Sequence, residues 1–586
     1  MLAPGQDIAT AVESWLSAFE AAVGDETRLK TLFHADSHWR DVLALTWRIQ
    51  TVNGAEDIVR GLKAEAAQAK PHDFRIDPDR TPPRLVTRTK VETIEAIFRF
   101  ETAAGTGNGV LRLTPGKDGK TFKAWTLMTA LDQIKGHEEH IGTSRPHGES
   151  YSRDFRGPNW LDLRKETAAY KDRDPVVLVV GGGQAGLAIA ARLGALGVDT
   201  LIVDRWPRIG DNWRKRYHAL TLHNQVHVNH MPYMPFPPNW PVYIPKDKLA
   251  NWFESYAEAM ELNYWPATEF ARGAYDEKAK RWNVTLRRAD GSTREMHPHH
   301  IVMATGVSDI PNVPDIPGLK NFSGTVLHAA QYQDGEPWKG KNAIVIGSGN
   351  SGHDIAQDLH SAGATVAIVQ RGTTMIIEIE PSAQLPYVLY DEGLPLEDTD
   401  LITVGVPLTL AKKAHKAFTA QARELDKPLL DRLEKVGFRL DFGDDDLGWQ
   451  FKYLTRGGGY YFNVGCSDLI ADRKIRLLQF SDIAEFDAKG ARMKDGETIP
   501  ADLVVLATGY KGQSYLVRKL FGDAIADRVG PIWSFGEDEE LRNMFKRTPQ
   551  QGLWFIGGSF AQCRIYSKYL GLQIKAAELG LMPKAG

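Results

Sequence analysis

Two doubly wound α/β units behind a small α+β domain: three features of the sequence predict this fold class. Gly181, Gly183 and Gly186 stand in GxGxxG spacing between the apolar run PVVLVV and the helix-patterned QAGLAIAARLGAL, and the strand LIVD follows. The same order of strand, glycine turn, helix and strand recurs from Asn342, in NAIVIGSGNSGHDIAQDL and ATVAIV, with Gly347, Gly349 and Gly352. Ahead of both, residues 1–134 carry a helix with an apolar stripe (Trp15, Leu16, Phe19). Strands of alternating polarity follow it, VETIEAIFRFET, GVLRLTP and FKAWTLMTALDQI.

A chain of 586 residues exceeds what one hydrophobic core supports. The polar stretch 135–175, with one short helix LDLRKETAAYK, reads as a linker. The first unit is expected to be split, 176–320 and 478–586, and the second to span 321–477. A helix-rich insertion at about 373–463, which includes AKKAHKAFTAQARELDKPLLDRLEKV, is required by neither and is expected to shape a substrate pocket. Its Trp449, Tyr453, Tyr460 and Tyr461 suggest an aromatic lining, and the apolar run Leu401–Ala411 a core or substrate-facing wall.

Composition narrows the function. Net charge is −3 with Lys and Arg scattered, so the basic stripe of a nucleic-acid binder is absent and small-molecule chemistry is expected. The two cysteines, Cys466 and Cys563, form no CxxC or zinc spacing, which argues against a disulfide framework and against a dithiol reductase. The opening MLAPGQDIAT has no leader pattern, and no run approaches the roughly 18 apolar residues that span a bilayer, so the expected location is cytoplasmic.

Both glycine turns fit a dinucleotide. Glycines let the backbone turn and let a pyrophosphate approach, and the helix opened by Gln184 or Asn350 offers its partial positive charge. Asp204 ends the strand after the first turn, where a carboxylate can accept from a ribose diol. The corresponding strand of the second unit ends in Gln370 and Arg371. An arginine there pairs with a 2′-phosphate that an acid would repel, which favours NADPH over NADH. His223, His227 and His230 cluster near Asn224, but no carboxylate or cysteine joins them at a ligand spacing, so no metal is expected.

Between the turns, FSGTVLHAAQY places Phe322, Gly324, His328 and Tyr332 in the pattern FxGxxxHxxxY. This resembles the fingerprint of the class B flavin-containing monooxygenases, which include the plant indole-pyruvate monooxygenases. The resemblance extends over about residues 176–586: Gly210 to Trp213 looks like the flavin-contacting turn, and MATG and LATGY (with Thr508 and Gly509) look like the two crossovers between domains. LWFIGGSF near Gly557, with Arg564 and Gln573, looks like the closing flavin segment. It implies FAD on the first unit, NADPH on the second, and a C4a-(hydro)peroxyflavin that transfers one oxygen atom from O2 to a small organic substrate. It also implies Asn224 beside the flavin, with His223 a weaker candidate. His328 and Tyr332 count among the catalytic-site candidates, His328 more as part of the linker than as an acid or base. Tyr332, where Baeyer–Villiger relatives usually carry Trp, leans towards N- or S-oxygenation without excluding ketone oxidation. Residues 1–134 resemble a cone-shaped SnoaL-like domain, in which a pocket can open at the wide end. Its polar cluster His34, Asp36, His38, Trp39 and Asp41 is read as non-catalytic, and the domain makes a homodimer plausible. A rival of another class is a ligand-binding or sensing flavoprotein that works through that N-terminal pocket.

Overall fold

The computed structural model describes residues 7–119, 121–148, 154–307 and 309–583. Residues 1–6, the head of the stretch read for a leader, and 149–153 of the linker lie outside them. Among the described residues no helix is long and apolar enough to cross a membrane.

The N-terminal domain is α+β. Helix α1 (Ile8–Ala22) is capped by the Asp7 carboxylate, which accepts from the amides of Ala9 and Thr10, and it buries Val12, Trp15, Leu16 and Phe19 on one face. After α2 (Glu26–Thr31) come β1 (Phe33–Val42), β2 (Ile49–Asn53) and α3 (Ala55–Ala69). Then follow β3 (His72–Ile76), β4 (Arg84–Arg88), β5 (Val91–Glu101), β6 (Gly105–Pro115) and β7 (Phe122–Ile134). The sheet order is β2-β1-β7-β6-β5-β3, with β4 also on β5 and only β1–β7 parallel.

Period-two alternation splits this sheet into two faces. Trp39 lies under Gly61 of α3, and Phe98 and Phe100 pack on Phe74, itself edge-on to Phe19 of α1. The other face, with Glu95, Arg112, Val110, Met128 and Arg40 in register, turns towards the rest of the chain. There it meets the insertion helix Leu396–Val404. A Cβ on Gly405 would touch Met128 and Val110, and Arg40 donates to the carbonyl of Val404 at 2.8 Å. The insertion thus packs on this face of the sheet, a tertiary contact that no local pattern announces.

The first dinucleotide unit is an all-parallel sheet ordered Asn263–Trp265, Thr200–Val203, Val177–Val180, His300–Met303, Leu553–Phe555. Val177–Val180 is buried along its whole length, as a strand covered on both faces must be. The second parallel sheet runs Thr325–His328, Leu503–Leu506, Asn342–Ile346, Thr365–Gln370, Arg476–Gln479. Leu503–Leu506 lies between two strands of this second sheet, so the chain re-enters the first unit after it and not at residue 478. The reason is visible in the crossovers: LATGY leaves the second sheet as MATG leaves the first. Within the helix-rich insertion, residues 408–435 form two helices, Leu408–Leu425 and Lys427–Lys435, broken at Asp426 with Pro428 in the first turn of the second.

Candidate active site

The two glycine turns are built alike. Gly181 has φ +106°, and a Cβ there would lie 2.6 Å from the Ala304 carbonyl; Gly347 has φ +123°, with the Ala507 carbonyl at 2.2 Å. A Cβ on Gly186 would reach the Gly181 carbonyl at 1.9 Å, and one on Gly352 the Gly347 carbonyl at 2.0 Å. Only glycine permits these approaches. Gly183 and Gly349 stand at the N-caps of Gln184–Ala195 and Asn350–Ser361, and neither helix has a side-chain cap. By contrast Phe560–Glu578 is closed by a capping box from Ser559 and Gln562. Two uncapped N-termini behind glycine turns are the donor set that a dinucleotide pyrophosphate needs, so the residues fit FAD and NADPH.

Asp204 is 8% exposed; its carboxylate accepts from the amides of Gly182 at 2.6 Å and Trp206 at 2.8 Å, and burial raises its pKa against these bonds. It therefore braces the loop it was expected to serve. Gln370 is fully buried and exchanges hydrogen bonds with the Arg439 backbone, whereas Arg371 is exposed and lines the cavity described next. Asn350 Oδ1 accepts from the Phe462 amide, and Gln184 donates to the Gly558 carbonyl at 3.2 Å, tying the first turn to the closing segment. Gly210, at φ +85°, passes against the Ala250 backbone, and Gly557 lies beside Gly306.

One cavity of about 1360 Å³ joins the two units. Gln184, Trp213, His223 and Asn224 enter it from the first, Gly347 to Gly352, Arg371, Thr508 and Gly509 from the second, and Trp449, Tyr453 and Tyr460 from the insertion. The run Leu401–Ala411 contributes Thr403, Val404, Val406, Leu408, Leu410 and Ala411 to its wall. Tyr461 does not line it. It alternates with Tyr460 on the strand Tyr460–Asn463, turns to the other side and stacks on His353 at 4.0 Å.

Asn224 donates to the Tyr387 hydroxyl at 3.1 Å, while its Oδ1 is buried with no protein partner; the indole nitrogens of Trp213 and Trp449 are in the same state. A buried polar atom without a partner costs about 1–3 kcal/mol, so three of them on one cavity indicate polar ligands. Tyr387 carried no sequence signal, because its role depends on a loop more than a hundred residues away. The histidines separate: His223 is edge-on to Phe462, His227 faces Asp391 and His230 accepts from the Phe236 amide. Burial pushes the His223 pKa down to about 4, so this ring is neutral at pH 7. Among the described residues no group of three metal-ligating side chains forms.

Of the FxGxxxHxxxY residues, His328 lines the cavity, whereas Phe322, Gly324 and Tyr332 do not, and the group holds the crossover. A Cβ on Gly324 would lie 2.5 Å from the Asp502 carbonyl. His328 accepts from the Ala330 amide and donates from Nε2 to the Gly509 carbonyl at 3.2 Å, which uses both ring nitrogens. Tyr332, 1% exposed, donates to Asp358 at 2.6 Å inside the core of the second unit and does not reach the cavity. Tyr332 is accordingly a packing and anchoring residue, not a catalytic one. Arg564 and Gln573 are likewise structural: Arg564 binds Asp400 and the carbonyls of Val228 and His230, and Gln573 binds the backbone of Phe545 and Arg547.

In the N-terminal domain, His38 bonds Asn53 on one face of the sheet, whereas Asp41 accepts from Thr129 and Thr46 on the other. No histidine and carboxylate of that cluster come together for acid–base work.

The family model described as pyridine nucleotide-disulphide oxidoreductase matches residues 178–389. The chain is 31% identical over 347 residues to indole-3-pyruvate monooxygenase YUCCA1 of Oryza sativa subsp. japonica, covering 58% of this chain and 77% of that protein. It is 30% identical to the probable indole-3-pyruvate monooxygenase YUCCA1 of Arabidopsis thaliana, covering 57% and 75%. The chain belongs to the flavin-containing monooxygenase family. Solved structures agree on the fold: cyclohexanone monooxygenase in its open crystal structure (TM-score 0.51, 16% identity, 70% of this chain and 88% of that one). The Rhodococcus sp. Phi1 enzyme bound to NADP+ gives TM-score 0.50 and 16% identity over 70% and 85%. As a member of this family the protein is an oxidoreductase, a flavin-dependent monooxygenase that uses FAD, NADPH and O2 on a small-molecule substrate. The dithiol chemistry in the name of the matched model has no counterpart here. Cys466 and Cys563 are both buried and unpaired, on different helices, and burial pushes both thiols far above their usual pKa.

Proposed function

We propose that this flavin-containing monooxygenase oxygenates an uncharged sulfur or nitrogen of a small apolar or aromatic substrate. The observation that carries the reading is the chemistry around Asn224. Its neighbours in the wall are His223, held neutral by burial down to about 4, and Tyr387, whose hydroxyl burial keeps protonated. A neutral heteroatom needs no protein-held charge to act as nucleophile, whereas oxygen insertion beside a carbonyl requires a deprotonated oxidant that a charged neighbour would support.

FAD, reduced by NADPH, supplies the electrons that activate O2. The chain supplies the rest: the amides behind Gly183 and Gly349 would hold the two pyrophosphates, and Arg371 would meet the 2′-phosphate. Asn224, fixed by Tyr387, would offer its unpartnered carbonyl oxygen to the bound flavin, and Trp449, Tyr453 and Tyr460 on the same cavity would help exclude water. In the same reading the N-terminal module is SnoaL-like, and the protein works in the cytoplasm and can form a homodimer.

The test is turnover of an aryl thioether and a cyclic ketone under ¹⁸O2 with NADPH. One labelled oxygen in the sulfoxide, matched to NADPH consumed, is expected; labelled lactone without sulfoxide would overturn the reading. Asn224→Ala is expected to divert NADPH oxidation to hydrogen peroxide, with product formation falling roughly 10²-fold, the scale of losing one preorganised polar contact at a reacting centre.

A further inference from the structure

The N-terminal sheet adds a charged wall to the active-site cavity. On the face turned away from its own helices, Glu95 of β5 stands directly opposite Arg84 of β4 and Arg112 of β6. Arg84 and Arg88 reach Glu95 at 2.7 and 2.8 Å, and Arg112 reaches it at 2.9 Å. One carboxylate from the insertion, Glu392, joins the group and pairs with Arg84 and Arg88. Three guanidinium groups thus share two carboxylates, a surplus of one positive charge. The side chains of Arg112 and Glu95 are only 4% and 1% exposed, so water does little to screen that surplus. Arg112 is held below its ordinary pKa by burial, with Arg88 and Arg84 adding to the effect against the attraction of Glu95.

Arg88 and Arg112 line the same cavity as Asn224, together with Thr87 and Thr89, and the Thr89 hydroxyl is buried with no partner. Arg40, the next arginine along this face, is not part of the surplus, since Glu540 meets it at 2.7 Å. A buried unbalanced cation and an unpartnered hydroxyl, on the wall of a cavity that also carries aromatic and apolar side chains, are what an organic anion with an apolar body requires.

We propose that Arg112 and Arg88 of the N-terminal domain bind the carboxylate of the substrate, so that this domain is a specificity wall of the monooxygenase site. The inference rests on the cavity being the oxygenation site, and it names the substrate class as an aromatic or apolar body carrying a carboxylate. It also gives the N-terminal domain a role within the enzyme rather than as a separate sensor.

Calorimetric titration of the FAD-loaded full-length protein tests it without any turnover, so failure of oxygen transfer cannot be mistaken for failure of this site. The probes are 3-phenylpropanoate, 3-phenylpropanamide and acetate. The expected result is that phenylpropanoate binds about tenfold or more tightly than the amide, and acetate far more weakly, the scale of a charge-assisted contact. Arg112→Gln is expected to abolish the preference for the acid over the amide. Glu392→Gln, at a partly exposed position whose loss leaves the buried pair intact, is expected to strengthen it, because it removes a competing carboxylate. Equal binding of acid and amide by the wild type would overturn the proposal, as would acetate matching phenylpropanoate, or Glu392→Gln weakening the acid.

Discussion

The two glycine turns are near copies in backbone and opposites at the end of the next strand. Both place glycines where a Cβ would strike a carbonyl, and both leave a helix N-terminus without a side-chain cap. Where the first unit ends its strand in Asp204, bonded back to the amide of Gly182, the second has a buried Gln370 and an exposed Arg371 on the cavity. In the proposed reading the backbone specifies that a dinucleotide binds, and the strand-end side chain specifies which. On that reading, cofactor preference should be alterable at the strand end without disturbing the turn, while altering the turn should cost cofactor binding.

The largest expected effect breaks the turns one at a time. Gly186→Ala and Gly352→Ala each force a methyl into a carbonyl less than or equal to 2.0 Å away. Overpacking of this kind costs about 1–3 kcal/mol, or about tenfold to a hundredfold in cofactor affinity. Gly186→Ala should be purified largely free of flavin, read from its visible absorbance. Gly352→Ala should keep its flavin and lose rapid reduction by NADPH; loss of flavin from this variant instead would refute the assignment of cofactors to units. A smaller effect comes from the strand end: Arg371→Gln should raise KM for NADPH about fivefold to tenfold, the worth of a charged hydrogen bond at an exposed site, and leave KM for NADH unchanged. The smallest is a pH dependence at the strand end, where the second unit carries Gln370 and Arg371 in place of a carboxylate. Burial raises the pKa of Asp204 above its ordinary 3.8. Its contribution to stability is then complete below that value and is lost as pH rises through the raised pKa. The difference in Tm between apo wild type and Asp204→Asn should therefore move against the wild type as pH rises from 4, and a flat difference would count against a buried, raised Asp204.

Much of this was legible in the sequence because it is local. Period-two alternation located β5, β6 and β7, and the glycine spacing located both turns and the helices behind them. Asn224 and His223 were found by resemblance and do line the cavity. What was not legible depends on direction or on distance along the chain. FxGxxxHxxxY marked a region correctly, but a spacing does not say that Tyr332 points at Asp358 and away from the substrate. Tyr461 was indistinguishable from Tyr460 until a strand set them on opposite faces. The covering of the N-terminal sheet by Leu396–Val404 joins segments more than 350 residues apart, and nothing local to the arginines of β4 and β6 marks them as the ones this contact encloses.

The seam between the N-terminal domain and the body is closed by ions of both partners. Arg80 and the Thr81 amide and hydroxyl bind Asp398, Arg40 binds Glu540, and Asp132 binds Lys568. Asp398, Glu540 and Arg40 are nearly inaccessible to water. Separating the two parts would strand these charges without partners in surfaces shaped to exclude solvent, which costs far more than the loss of an exposed pair. The N-terminal domain and the body should therefore melt together in a single calorimetric transition rather than one after the other.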